Sequence, residues 1–339
     1  MQIRRQALMF VAVTAAMAVF VTPAGAWTRT VINPCTPDSA TSCEFFATKW
    51  HEVYMPTAPA RNQLAIFFHG TLGKPSNNRK IAEYLAGQGF HVMSVKYDAD
   101  TTAKSACPDS VETTDPNCFR RFRGESVFGE NVSDPVGQAF DHSSISVSKP
   151  NSVMNRVLNL ATYLSTNYAA QGWAQFQMRD VNGNCTSTNT TYNTCDMRWS
   201  LAGIGGHSQG SGIALYLSKF FGLRQVAMLS GPQDTWASSA ANWIAEGGFT
   251  TSSSVMWGFA HTADGEYSGQ SLAWGVLGIP GGLTDQAVGS PWGGSHRLTT
   301  SVAPACIRPT AAHGSTVTDD CTPGTPPIYQ PVWLATYGG

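Results

Sequence analysis

The sequence predicts an α/β fold in which a mostly parallel central sheet is flanked by helices, and three observations predict it. Short apolar runs alternate with stretches of helical periodicity over much of the 339-residue chain. The pentapeptide Gly206-His207-Ser208-Gln209-Gly210 stands between one such run and one such stretch, as a sharp turn from strand to helix. Two long interruptions, 98–150 and 265–295, fall where connections at the carboxyl edge of an open sheet build a substrate site.

Each element has its own justification. Residues 1–26 read as an export signal: Arg4 and Arg5 form a basic start, 7–21 an apolar run, and Ala24-Gly25-Ala26 a small-residue cleavage site. That run is short for a membrane span, so no stable membrane anchor is expected and 27–339 is read as one secreted or periplasmic domain. Leu64–Phe68 (LAIFF) is a continuous apolar run of strand length. Residues 77–87 place Ile81, Tyr84 and Leu85 on one helical face, and Gly87 and Gly89 end the helix. A strand follows at 90–95, and 152–168 is a helix carrying Val153, Val157, Leu160 and Leu164 at helical spacing. The strand at 199–204 leads into the pentapeptide, and the helix at 211–221 leaves it with Ile213, Leu217 and Phe220 inward. Beyond lie a strand at 225–230, a helix at 235–246, a strand at 255–260 and a last strand near 297–302. No internal repeat or long linker divides the chain.

Composition narrows the chemistry. Without the signal, 19 basic residues face 22 acidic ones, a net charge of about −3 that offers no basic face and excludes nucleic acid as a partner. Charged residues make up only 13% and aromatics 11%, which implies a large core; Trp236, Trp243, Trp257, Trp274 and Trp292 belong there in preference to a cleft wall. Eight cysteines in an exported chain favour disulfides; about 105 connectivities are open to them, and spacing alone points to neighbours in sequence, Cys35 with Cys43, Cys107 with Cys118, Cys185 with Cys195 and Cys306 with Cys321. No Cys-x-x-Cys or mixed Cys/His cluster is present, so no structural metal is expected.

The pentapeptide fits the G-x-S-x-G pattern of a nucleophile turn. A serine hydroxyl is a weak nucleophile at neutral pH and needs a base in reach and an acid to orient that base. With Ser208 as nucleophile, the partners should follow in the order acid, then histidine. Asp264, just past the strand at 255–260, is preferred as the acid; Asp234, after the preceding strand, is the rival and reads otherwise as a helix cap. His296 and His313 are the histidines beyond Asp264. His296 precedes the last strand and lies at the wrong edge, whereas His313 follows it, bracketed by Cys306 and Cys321, and is preferred. His207 reads as packing. Two backbone amides should hold a developing oxyanion: that of Gln209 after the nucleophile, and that of Thr71 in His69-Gly70-Thr71-Leu72-Gly73.

From Leu64 to His313 these residues resemble the α/β-hydrolase superfamily, and in the His-Gly turn, the nucleophile turn and the disulfide-held histidine they resemble its exported esterases and polyesterases. Ser230-Gly231-Pro232-Gln233-Asp234, His261-Thr262-Ala263-Asp264, Gly294-Ser295-His296-Arg297 and Ala312-His313-Gly314 are similar to a bacterial branch often called BPSS-type. The resemblance implies a serine ester hydrolase that uses no cofactor and acts on a small-molecule or polymeric ester. A peptidase or amidase, an acyltransferase, and a non-catalytic binding protein on the same scaffold are the alternatives. The 98–150 insertion departs from the minimal cutinase-like pattern of an open cleft.

Overall fold

The computed structural model describes residues 25–57, 60–138 and 140–339; the expected export signal lies outside them except for residues 25 and 26. Nine strands form one sheet: β1 (Trp27–Ile32), β2 (His51–Pro56), β3 (Leu64–Phe68), β4 (His91–Val95), β5 (Ala202–His207), β6 (Gln225–Leu229), β7 (Met256–His261), β8 (Thr284–Asp285) and β9 (Arg297–Thr300), in the spatial order β1-β2-β4-β3-β5-β6-β7-β9-β8. From β4 to β8 every neighbouring pair is parallel, while β2 runs antiparallel to both β1 and β4. Alternation with period two divides the side chains between two cores. Leu64, Ile66 and Phe68 of β3 face one, and Ala65 and Phe67 the other.

Helices cover both faces. The first core lies under α2 (Cys118–Phe128), α3 (Val153–Asn167), α4 (Gln209–Phe220) and α5 (Tyr267–Val276). The second lies under α1 (Arg79–Gly87) and α6 (Gln330–Thr336). On that side β5 carries Gly203 and Gly205, and the Tyr337 ring lies in the space they leave, its hydroxyl donating to the Ile66 carbonyl at 3.2 Å. A methyl group at Gly205 would collide with the Tyr337 hydroxyl and stand 2.7 Å from Ala227 Cβ. All four disulfides join sequence neighbours as expected. Among the described residues no helix is long and apolar enough to cross a membrane.

The structure departs from expectation in five places. β5 begins at Ala202 rather than 199, because Trp199–Leu201 is a 3₁₀ turn whose Trp199 stacks on Phe221. The helix expected at 235–246 is a single turn, Asn242–Ala245. Before that turn Thr235 pairs with Ala240 and the Ala241 amide donates to the Asp234 carbonyl, so the chain loops around Asp234. The 98–150 insertion contributes α2, most of which is buried in the first core, and so builds interior as well as edge. The stretch 265–295 contains α5 and β8, and only Gly265 and Glu266 of it line the main cavity; Trp274 and Trp292 are core. β1, β2 and α6 were not foreseen. In β2 the polar Glu52 interrupts the apolar pattern, yet it is fully buried against Arg79 and the Tyr54 hydroxyl.

Overpacking sets a first test. Gly205→Ala should cost about 1 to 3 kcal/mol in urea unfolding with the disulfides intact. Tyr337→Phe in the same background should recover part of that cost, because it removes one of the two colliding groups. Strict additivity of the two substitutions would contradict this packing account.

Candidate active site

β5 and α4 meet at Ser208, whose backbone is held at φ 56° and ψ −117°, a left-sided conformation that a non-glycine residue adopts only when its surroundings impose it. Glycines on both sides make this possible. A Cβ at Gly206 would run into the Gly210 backbone, and one at Gly210 into the Phe68 and His69 carbonyls at the end of β3. The Ser208 amide donates to the Leu229 carbonyl of β6 at 2.9 Å, which fixes the turn to the neighbouring strand. Ser208 therefore sits at the amino end of α4 and faces a cavity of about 540 Å³.

Asp264 and His313 line the same cavity. Asp264 follows β7, and His313 lies in the one-turn helix Ala311–Gly314 within the loop closed by Cys306–Cys321. His313 Nδ1 is 2.8 Å from Asp264 Oδ2. Gln270 Nε2 donates to the same oxygen at 2.9 Å, and the Glu266 amide donates to Oδ1 at 3.1 Å. Burial works to raise the Asp264 pKa, but the hydrogen bonds from His313, Gln270 and Glu266 outweigh it and hold the carboxyl below its usual range. An ionised Asp264 keeps the imidazole proton on Nδ1 and leaves Nε2 with a free lone pair. Ser208 Oγ and this imidazole share the cavity without a hydrogen bond between them, an arrangement compatible with contacts that tighten on substrate binding.

The imidazole is also held through its backbone. The His313 carbonyl accepts from His207 Nε2 at 3.0 Å and from Ser230 Oγ at 2.8 Å, one residue from β5 and one from just past β6. His207 must then carry its proton on Nε2, and its Nδ1 faces Gly70, where a Cβ would lie 2.7 Å away. Burial first, and then the nearby His313, lower the His207 pKa to about 3, so His207 is neutral beside His313. The packing role expected for His207 is thus also a positioning role.

Both rivals are engaged elsewhere. Asp234 is fully buried and accepts from Arg123 Nε at 2.9 Å and Trp243 Nε1 at 3.1 Å. Arg123 Nη1 also donates to the Gln209 carbonyl at 3.1 Å, so Arg123, supplied by the insertion and held by Asp234, grips the first residue of α4. His296 lies at the amino edge of the sheet, stacked on Trp257 with ring centroids 3.6 Å apart. Arg123 and Gln270 had no signal in the sequence, because each acts across a separation that no local pattern encodes.

The two residues expected to supply amides are joined through their side chains. Thr71 Oγ1 donates to Gln209 Oε1 at 2.7 Å, joining the loop after β3 to the start of α4. Among the described residues neither the Thr71 nor the Gln209 amide donates to a protein acceptor. Tyr97 supports this loop by donating to the His69 carbonyl at 2.7 Å while its ring stacks on the His69 imidazole. Among the described residues, Cys107, Cys118 and His142 are grouped closely enough to ligate a metal, but the two sulfurs are joined in a disulfide and offer no thiolate. The chain matches no family model and no curated protein.

The His207 assignment predicts a pH dependence. With a folded pKa of about 3 against an ordinary 6.5, the unfolded chain takes up a proton that the folded chain refuses. This contribution to stability is complete above 6.5 and is lost as pH falls toward 3, by at most about 1.4 kcal/mol per pH unit. His207→Gln, which keeps a donor for the His313 carbonyl, should show a shallower fall of the urea midpoint between pH 6.5 and 4. An unchanged slope would remove His207 as its source.

Proposed function

We propose that the protein is an exported serine hydrolase of the α/β-hydrolase type that cleaves carboxylic esters. The observation that carries this reading is the convergence on one cavity of a serine in a strained strand-to-helix turn and an imidazole oriented by a buried aspartate, with the Thr71 and Gln209 amides free of protein acceptors among the described residues. The strand order, with an antiparallel β2 leading into a parallel series and the serine turn after β5, supports the fold assignment. Four disulfides accord with an oxidising compartment outside the cytoplasm.

In this mechanism Ser208 Oγ attacks the ester carbonyl carbon as His313 Nε2 takes the hydroxyl proton. The carbonyl electron pair moves onto oxygen, where the Thr71 and Gln209 amides receive it. The intermediate collapses with cleavage of the bond to the alcohol oxygen, which leaves with the proton from Nε2. Water then repeats the sequence on the acyl-enzyme, giving the carboxylic acid and free Ser208. Asp264 keeps the imidazole in the productive tautomer and stabilises the imidazolium.

The test is hydrolysis of a p-nitrophenyl ester series by residues 27–339 alongside single variants. Ser208→Ala should lower kcat by about 10⁴- to 10⁶-fold. Asp264→Asn should lower it by roughly 10⁴-fold through the wrong tautomer. Asp234→Asn should show its effect in stability, about 3 to 5 kcal/mol, because it leaves Arg123 buried without its counter-charge. Activity that survives Ser208→Ala sinks the mechanism, and faster turnover of matched amides than of esters would make the protein a peptidase or amidase.

A further inference from the structure

The cavity is walled in a way that names its substrate more closely. Trp236, Trp243, Trp257, Trp274 and Trp292 are all buried in the two cores, and among the described residues no aromatic side chain lines the cavity apart from the imidazoles. Apolar side chains on the wall are limited to Leu72, Ala263, Pro309 and Ala312. The remainder is glycine and hydrogen-bonding residues, among them Asn77, Asn78, Thr102, Gln233, Glu266 and Thr310. An alkyl chain laid along such a wall would strip water from these groups without bonding them, at a cost of about 1 to 3 kcal/mol for each one desolvated.

The groups also have bonding capacity to spare. Among the described residues, the side chains of Gln233, Glu266 and Thr310 have no hydrogen-bond or ion-pair partner. Glu266 has a particular position: its amide holds Asp264, and Asp264 holds His313. Glu266 therefore lines the cavity next to the Asp264–His313 pair, the side on which a departing alcohol would receive its proton. By contrast Arg308, on the same wall, is committed to Asp320 at 2.8 Å, so the uncompensated charge facing the cavity is negative. A carboxylate accepts hydroxyl hydrogens and repels anions. On the other side Leu72 adjoins Thr71 and offers one exposed apolar contact, enough for a short acyl group.

Resting on the serine-hydrolase reading, we propose that the site takes short-chain acyl esters of uncharged polyhydroxylated, sugar-type alcohols, with Glu266 receiving hydroxyls of the alcohol. A site built to bond hydroxyls discriminates strongly against an alcohol that lacks them, because its own polar groups are then left unpaired.

The experiment uses the mature chain with its disulfides intact and has two readouts. A fluorophosphonate probe reports whether Ser208 is an activated nucleophile, independently of substrate, with Ser208→Ala as the control. Initial rates are then compared for an O-acetylated methyl glucoside, hexyl acetate, and p-nitrophenyl acetate and octanoate. The expected result is Ser208-dependent labelling, kcat/KM at least about tenfold higher for the acetylated glucoside than for hexyl acetate, and acetate preferred to octanoate. Glu266→Gln should reduce the glucoside-to-hexyl preference by roughly tenfold, because a neutral carboxamide oxygen replaces a charged acceptor. Labelling accompanied by a preference for hexyl acetate or octanoate overturns the substrate proposal and leaves the hydrolase reading in place. An unchanged preference in Glu266→Gln overturns the role given to that carboxylate. Absence of labelling in the folded protein overturns the reading on which both depend.

Discussion

Close approach of backbone to backbone at the Ser208 turn is the constraint on which the rest of the site depends. The first turn of α4 passes so near the end of β3 that Gly210 has no room for a Cβ, and the end of β5 passes so near Gly210 that Gly206 has none either. This contact brings the loop after β3 beside the start of α4, and the Thr71 hydroxyl closes the gap by bonding Gln209. The Gln209 amide, at the first position of α4, and the Thr71 amide, in the turn after β3, are both left without a protein acceptor among the described residues. Strain at one residue is offset by packing around it, since Ser208 could relax only if β3, β5 and α4 moved apart together.

Support for that contact arrives from distant parts of the chain. The 98–150 insertion supplies Arg123, which enters the space left by Gly212, binds Asp234 and reaches the Gln209 carbonyl. The carboxyl-terminal segment supplies Tyr337, which lies against the glycines of β5 on the opposite face. The serine turn is thus clamped from both sides of the sheet by segments far from it in sequence. A charged pair as deeply buried as Arg123–Asp234 is costly to desolvate, and its geometry suggests what that cost secures: several hydrogen bonds converge on one orientation of α4.

The separation in sequence also explains which features could be read without coordinates. Strands β3, β4, β6, β7 and β9, the serine turn and the disulfide pairs are local patterns, each contained within some sixteen residues. Ser208 and Asp264 stand at or just past a strand's carboxyl end and His313 in the disulfide-closed loop beyond β9, which is how sequence order alone selects three residues that the structure brings to one cavity. What escaped depends on partners elsewhere. Glu52 interrupts the apolar pattern of β2, and only the fold supplies Arg79 to meet it. The helix expected at 235–246 is cut to one turn by the looping of the chain around Asp234. Gln270 and Ser230 gain their roles through bonds to residues in other loops.

Four histidines surround the serine turn, and hydrogen bonding alone distinguishes them. His69 gives a ring proton to the Gly70 carbonyl, and its pKa is lowered to about 3 by burial and then by Lys96. His261 has both nitrogens occupied, one by the Val302 carbonyl and the other by the Ala263 amide. His207 donates to the His313 carbonyl and is likewise lowered to about 3. Only His313 directs its bonded nitrogen to a carboxylate and keeps the other toward the cavity. The burial that keeps His207 uncharged is what allows it to stand against His313 without opposing a second positive charge there, with ring centroids 4.9 Å apart. A protonated His207 at that distance would raise the energy of an imidazolium at His313 and so weaken it as a base. Positioning by a neutral neighbour and orientation by a charged one are therefore complementary demands, met by the burial of His207 and by the hydrogen-bonded carboxylate of Asp264.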